Sequence, residues 1–234
     1  MCQITIDPIA IIHTPFKEKF AIPRQPGLAS EAKGHIVFRA DYSSADFVRG
    51  LDQFSHIWLM FQFHQTAKPS HPPLVRPPRL GGNKKIGVFA SRSTHRPNNL
   101  GMSVVKLDSV TLKDNAVSLL VSGVDLLDGT PIIDIKPYIP YSDAIPEAMA
   151  GYAQQAPRAH LHVQFEESAK SQLIEQKTKH TDLELLIRQV LAQDPRPAYH
   201  QQKTSDRVYG VSLYDLNIQW RVEDDQCIVT NISG

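Results

Sequence analysis

The sequence predicts a mainly β protein: a small closed β-barrel over residues 1–145, followed by a small α+β domain over residues 146–234. Three observations predict it. Short runs of β-branched and aromatic residues, separated by turn residues, fill most of the first part. No regular strand–helix alternation appears there, which disfavours a doubly wound sheet. The periodicity then turns helical in the second part. Many short strands in one segment suit closure, because a closed sheet has no exposed edges.

The expected strands, in order, are residues 4–12, 35–39, 54–63, 86–91, 102–112, 117–121 and 131–135. Asp114-Asn115 marks a hairpin turn between two of them. Residues 67–85 carry Pro69, Pro72, Pro73, Pro77, Pro78, Gly81 and Gly82. Prolines lack an N–H and fix φ, so neither a helix nor a central strand forms there. A connection that long in a compact domain reads as functional. Further on, a helix is expected over about residues 167–177. Thr181 and Glu184 have capping-box spacing. Leu183, Leu186, Ile187, Val190 and Leu191 follow at helical spacing, and Pro195 lies beyond the end. Strands near 208–213 and 218–222 complete the second domain.

Composition sets bounds. Apolar residues at 41% support a real core, and charged residues at 21% suit a globular chain. No apolar run is long enough to span a bilayer, and the N-terminus lacks the basic and apolar regions of a secretory signal. The only cysteines are Cys2 and Cys227, at opposite ends. That disfavours a disulfide framework or a cysteine metal site, and makes the reducing cytoplasm the expected location. His160-Leu161-His162 places two imidazoles on one strand face without a third ligand, so no metal is expected. Fingerprints for dinucleotides, for nucleoside triphosphates, for zinc proteases and for serine hydrolases are all missing.

Charge is segregated. Residues 53–107 contain no Asp or Glu but eight basic residues: Lys68, Arg76, Arg79, Lys84, Lys85, Arg92, Arg96 and Lys106. The rest of the chain holds 17 basic and 24 acidic side chains. Such segregation points to an anionic partner, most simply nucleic acid; a solvated basic loop is the plainer alternative.

Several short segments combine rigid turns with polar groups. Pro23-Arg24-Gln25-Pro26-Gly27 holds a guanidinium and an amide between prolines, which lowers the entropy lost on ordering them. Arg76-Pro77-Pro78-Arg79-Leu80-Gly81-Gly82 leads into a run from Gly87 to Asn98 that contains Ser91, Arg92, Ser93, Thr94 and Arg96. Arginine binds carboxylate and phosphate bidentately, and the hydroxyls add donors. His64-Gln65 ends the most apolar strand. Asp128-Gly129-Thr130-Pro131 reads as a tight turn feeding a strand in which Asp134 and Lys136 share one face. That pair is either a structural ion pair or a proton-handling pair.

With these residues the chain resembles the TrmO family (also called YaeB or TsaA-like), β-barrel tRNA methyltransferases. The resemblance covers nearly the whole chain. It is carried by Lys17-Glu18-Lys19-Phe20, the Pro23–Gly27 turn, Arg49-Gly50-Leu51, Phe54-Ser55-His56-Ile57-Trp58 and Phe63-His64-Gln65. It continues through the Arg76–Gly82 loop, Val88–Asn98, Gly101-Met102-Ser103, Asp128–Tyr138 and Asp194-Pro195-Arg196-Pro197-Ala198-Tyr199. Asn99 departs from it where a proline is expected.

The resemblance implies S-adenosyl-L-methionine as methyl donor and N6 of N6-threonylcarbamoyladenosine, beside the tRNA anticodon on its 3′ side, as acceptor. It also implies a homodimer that holds the anticodon stem-loop. The acceptor nitrogen is conjugated to a carbonyl, so a base would help; His64 and Asp134 are the candidates, with Tyr138 as an orienting hydroxyl. Arg24, Gln25, Pro26, Gly27, His64, Gln65, Arg92, Leu126, Asp128, Gly129, Thr130 and Pro131 are expected to hold the cofactor. Arg76, Arg79, Lys84, Lys85, Arg96 and Arg196 are expected on RNA. The alternatives are a non-catalytic RNA-binding module and a methyltransferase for another small carboxylated substrate.

Overall fold

Alternating side chains build the first unit. In β1 (Ala10–His13), β2 (Lys33–Phe38) and β3 (His56–Gln62), buried and exposed positions follow one another with period two. The same holds for most of β6 (Leu100–Lys113), β7 (Ala116–Ser122) and the start of β8 (Thr130–Pro137). These six strands close into an antiparallel barrel of order β1-β2-β7-β6-β3-β8. Ile12, Ile36, Ile57, Leu59, Leu119 and Ile132 are among the fully buried side chains that fill it. A two-residue ribbon, β4 (Leu74–Val75) with β5 (Ile86–Gly87), stands apart from the barrel on the β3–β6 connection. A short helix, α1 (Pro140–Asp143), follows the barrel. The computed structural model describes residues 4–66, 72–113, 116–157, 159–197 and 207–234. The expected turn at Asp114-Asn115 lies outside them, as do part of the proline-rich connection and Ala198-Tyr199.

The second unit is α+β. β9 (His162–Phe165), α2 (Glu167–Gln176), α3 (Leu183–Ala192), β10 (Tyr209–Leu213), β11 (Leu216–Glu223) and β12 (Gln226–Ser233) follow in order. The sheet order is β10-β11-β12-β9, with β12 and β9 parallel. α3 buries Leu183, Leu186, Ile187, Val190 and Leu191 on one face, each contributing roughly 1.5–3 kcal/mol. This is the expected fold class: a mainly β chain with a closed barrel and an α+β region.

The compact units interleave in sequence. Thr14–Lys33 and Gly123–Asp128 group with Ala156–Gly234, while Gly34–Ser122 and Gly129–Gln155 group with the first strand. Thr14–Lys33 is the β1–β2 connection with the first residue of β2, and Gly123–Asp128 is most of the β7–β8 connection.

Three local expectations are corrected. The strand expected over 86–91 stops at Gly87. There Val88–Ala90 turns into a 3-10 helix whose Val88 carbonyl accepts from Ser91 Oγ at 2.8 Å. The Thr181/Glu184 capping box is not formed. α3 takes Asp182 as its N-cap without a side-chain cap, because the Asp182 carboxylate is bound by Lys33. Finally, the first strand begins at Ala10, well after residue 4.

Candidate active site

Antiparallel pairing decides which connections share an end of the barrel. β1, β3 and β7 run one way, and β2, β6 and β8 the other. The β1–β2, β3–β6 and β7–β8 connections therefore all leave the same rim. His13 pairs with His35 there, Ile12 with Thr130, and Gln62 with Leu100. His56 and Tyr138 mark the opposite rim, where the Tyr138 N–H donates to the His56 carbonyl at 3.0 Å.

In the barrel unit, His64 and Gln65 sit in a tight turn after β3. Phe63 N donates to Asn99 O at 2.7 Å, His64 N to Gln62 O at 2.8 Å, and Thr66 N to Phe63 O at 3.2 Å. Beneath the turn, the Phe61 and Phe63 rings meet edge to face with centroids 5.2 Å apart. Gly101 makes that packing possible, since a Cβ there would lie 2.4 Å from the Phe61 ring. Gly129, at φ +74°, donates its N–H to Ile12 O at 2.9 Å and has open space where a Cβ would project. Thr130 is buried at the start of β8, and Pro131 is half-buried beside it.

The β3–β6 connection is internally braced. Val88 N donates to Pro73 O at 2.9 Å, and Arg96 Nη1 donates to Ser91 O at 2.7 Å and Val88 O at 3.4 Å. Arg96, expected on RNA, thus commits donors to its own loop while staying half-buried. Arg76, Lys84, Lys85 and Arg92 are exposed, as is Arg79, which donates to the Gln155 carbonyl.

The α+β unit holds the remaining expected cofactor residues. Gly27 N donates to Gly123 O at 2.9 Å, and a Cβ on Gly123 would come within 3.3 Å of the Gly27 backbone. Both glycines have positive φ, +78° and +76°, which an L side chain rarely adopts. This close approach anchors the turn that carries Arg24, Gln25 and Pro26. Crowding around Arg24 lowers its pKa from the ordinary value, and the Asp194 carboxylate opposes that shift. Asp128 is held within this unit: Oδ1 accepts from Thr14 N at 2.9 Å and Oδ2 from Lys17 Nζ at 2.8 Å. Leu126 is buried, and its carbonyl accepts from Thr14 Oγ1 at 2.9 Å.

The geometry separates some of the expected site residues. His64, Asp134 and Tyr138 do not converge within one chain. β3 runs six residue steps from His56 to Gln62, roughly 20 Å at ~3.3 Å per residue. Tyr138 lies at its first end, against Trp58 at 5.9 Å between ring centroids, and His64 lies beyond its last. Asp134 pairs with Met60 on the outer wall, since Leu59 and Phe61 point inward. Its Oδ2 is 3.4 Å from Lys136 Nζ, so the structural ion pair is what forms; such partly exposed pairs are worth about 0–1 kcal/mol. Ile133 is the extra residue at a bulge between Met60 and Phe61. Arg196, expected on RNA, is buried instead. Its Nε and Nη2 grip Asp194 Oδ1 and Oδ2 at 2.7 and 2.9 Å. Phe89, which lies in the Val88–Asn98 motif and carried no expected role, is 78% exposed on the braced loop. Its signal was an aromatic side chain inside the acid-free stretch.

The model of the tRNA-methyltransferase O N-terminal domain matches residues 11–144, and that of the TrmO C-terminal domain matches residues 158–234. The chain belongs to the TrmO family. An Escherichia coli K12 relative, named tRNA (adenine(37)-N6)-methyltransferase, is 49% identical over 96% of this chain and 95% of its own. A Pseudomonas aeruginosa relative carries the name of an S-adenosylmethionine-dependent methyltransferase. It is 48% identical over 98% of both chains. A crystal structure of TrmO from P. aeruginosa superposes with a TM-score of 0.85 and 40% identity. That match covers 100% of this chain and 99% of the other.

Proposed function

We propose that this TrmO-family chain transfers a methyl group from S-adenosyl-L-methionine to N6 of N6-threonylcarbamoyladenosine at tRNA position 37, in the cytoplasm and as a homodimer. At the coarser level it is an S-adenosyl-L-methionine-dependent tRNA (adenine-N6)-methyltransferase. Among the described residues, no helix is long and apolar enough to cross a membrane. The observation that supports an RNA acceptor is the acid-free basic connection, which leaves the barrel from the rim of His64 and Thr130. A polyanion with one reactive base needs cationic guidance beside a reaction site.

The residues suit the cofactor's groups. Gly129 leaves open space beside its backbone, and His64, Gln65 and Arg92 add an imidazole, an amide and a guanidinium on the same barrel unit. In the α+β unit, the Arg24–Gly27 turn offers a second set. The bound cofactor supplies an electrophilic methyl group on a sulfonium. The chain's own contribution is then mostly positioning. Arg92 is the candidate clamp for the threonyl carboxylate, through a charge-assisted pair. His64 is the remaining candidate to take the proton, since Asp134 lies on the barrel wall. Arg76, Lys84 and Lys85 meet phosphates.

Labelled S-adenosyl-L-methionine is incubated with tRNA from cells that have or lack the threonylcarbamoyl modification. Label entering only the modified tRNA is expected, and Arg92→Ala reduces transfer by about 10²-fold with the fold intact. Equal label in both tRNAs rules out the threonylcarbamoyl acceptor. Cofactor binding absent alongside intact tRNA binding leaves a non-catalytic RNA module.

A further inference from the structure

The braced loop of the barrel unit holds a feature that methyl transfer does not use. Pro72, Pro73, Gly87, Val88, Phe89 and Pro97 line an apolar groove of about 270 Å³. Phe89 is 78% exposed at its edge. The loop is not loose. The Val88–Pro73 hydrogen bond and the two bonds from Arg96 hold both walls of the groove. The Arg96 guanidinium carbon lies 6.0 Å over the Phe89 ring centroid. The volume lies just below the ~300–1,000 Å³ of pockets that take drug-sized ligands, so it suits one planar ring better than a whole adenosyl cofactor.

Charge selects the occupant. The surrounding stretch, residues 53–107, has no acidic side chain. Arg76 and Lys85 leave the same end of the β4–β5 ribbon, next to the pair Val75 and Ile86. A second copy docking symmetrically on this patch would bring like charges together. A nucleic acid brings phosphates to the cations and a π-face to the ring. We propose that Phe89 is a stacking platform for one unpaired base of the RNA substrate, with the proline-lined groove as its seat. The inference rests on the RNA reading above and adds a base contact to its phosphate contacts.

The test measures binding of an anticodon stem–loop RNA by the full-length protein, with a blunt RNA duplex as the probe that lacks unpaired bases. Phe89→Ala is expected to weaken stem–loop binding roughly 5- to 150-fold. Phe89→Trp keeps it tight, and duplex affinity and the salt slope of binding do not change. Cofactor affinity is equally unmoved. Unchanged stem–loop affinity in Phe89→Ala, or an equal loss on the duplex, overturns the platform and leaves the RNA reading standing. A Phe89→Ala protein that loses its oligomeric mass without an RNA effect gives the groove to a second copy and also overturns it. Wild-type protein that binds neither RNA overturns the RNA reading itself, and the platform with it.

Discussion

Arg196→Ala separates a structural arginine from an RNA contact. Asp194 and Arg196 expose only 8% of each side chain and form a two-bond fork, at 2.7 and 2.9 Å. The hydrogen bond to Asp194 raises the Arg196 guanidinium above its ordinary pKa. Asp194 also holds a left-handed backbone, at φ +47°, just past the end of α3. Removing the arginine takes the two-bond fork away from a buried carboxylate, and breaking such a pair costs about 3–5 kcal/mol. At about 2–4 °C per kcal/mol for a chain of this size, the unfolding midpoint falls by roughly 6–20 °C. Calorimetry on purified protein reads the shift. Asp194→Asn with Arg196→Met removes both charges, and asparagine tolerates the positive φ, so the double variant regains much of the loss. An Arg196→Ala protein that melts like wild type but binds tRNA weakly, with a shallower salt dependence, would refute this assignment and restore Arg196 to the RNA surface.

Gly101→Ala forces a methyl group to within 2.4 Å of the Phe61 ring and 2.8 Å of Phe63. Overpacking of this kind costs about 1–3 kcal/mol, and Phe61→Leu in the same chain relieves it; an alanine variant as stable as wild type would show that the rings under the His64 turn have room to move. Asp215 gives an acid dependence. Hydrogen bonds, first from Lys179 and then from His180, lower its pKa from 3.8 to about 2. A depressed folded value stabilises fully above the unfolded one and is lost as pH falls from about 3.8 toward about 2. Thermal midpoints against pH fall less steeply across that window in Asp215→Asn than in wild type; parallel curves would remove the pair from acid unfolding.

Much of the barrel was legible because its strands are short runs rich in β-branched and aromatic residues, set between turn residues. Ile57, Leu59 and Phe61 face inward on β3, and Val117, Leu119 and Val121 on β7, where a period-two pattern puts them. α3 was legible through its five buried apolar residues. β9 was not. It is four residues long, and its parallel partner β12 lies some sixty residues away in the chain. Only tertiary pairing stabilises such a strand. The capping-box pattern misled because α3 begins one residue later, with Asp182 as its N-cap. Arg196 misled because a basic residue near a surface motif reads as exposed, while its partner stands two positions earlier. The rim on which each expected residue lies was not legible. His64 and Tyr138 both flank strands, and only the register of β3 with β6 and β8 puts them at opposite ends.

The most direct test of where the chemistry sits is amide hydrogen exchange, with and without S-adenosyl-L-homocysteine. Added protection is expected at residues 63–66 and 129–131, on the rim of the β3–β6 and β7–β8 connections. Protection at His56 and Tyr138 with none at residues 63–66 would put the cofactor at the opposite rim and contradict it.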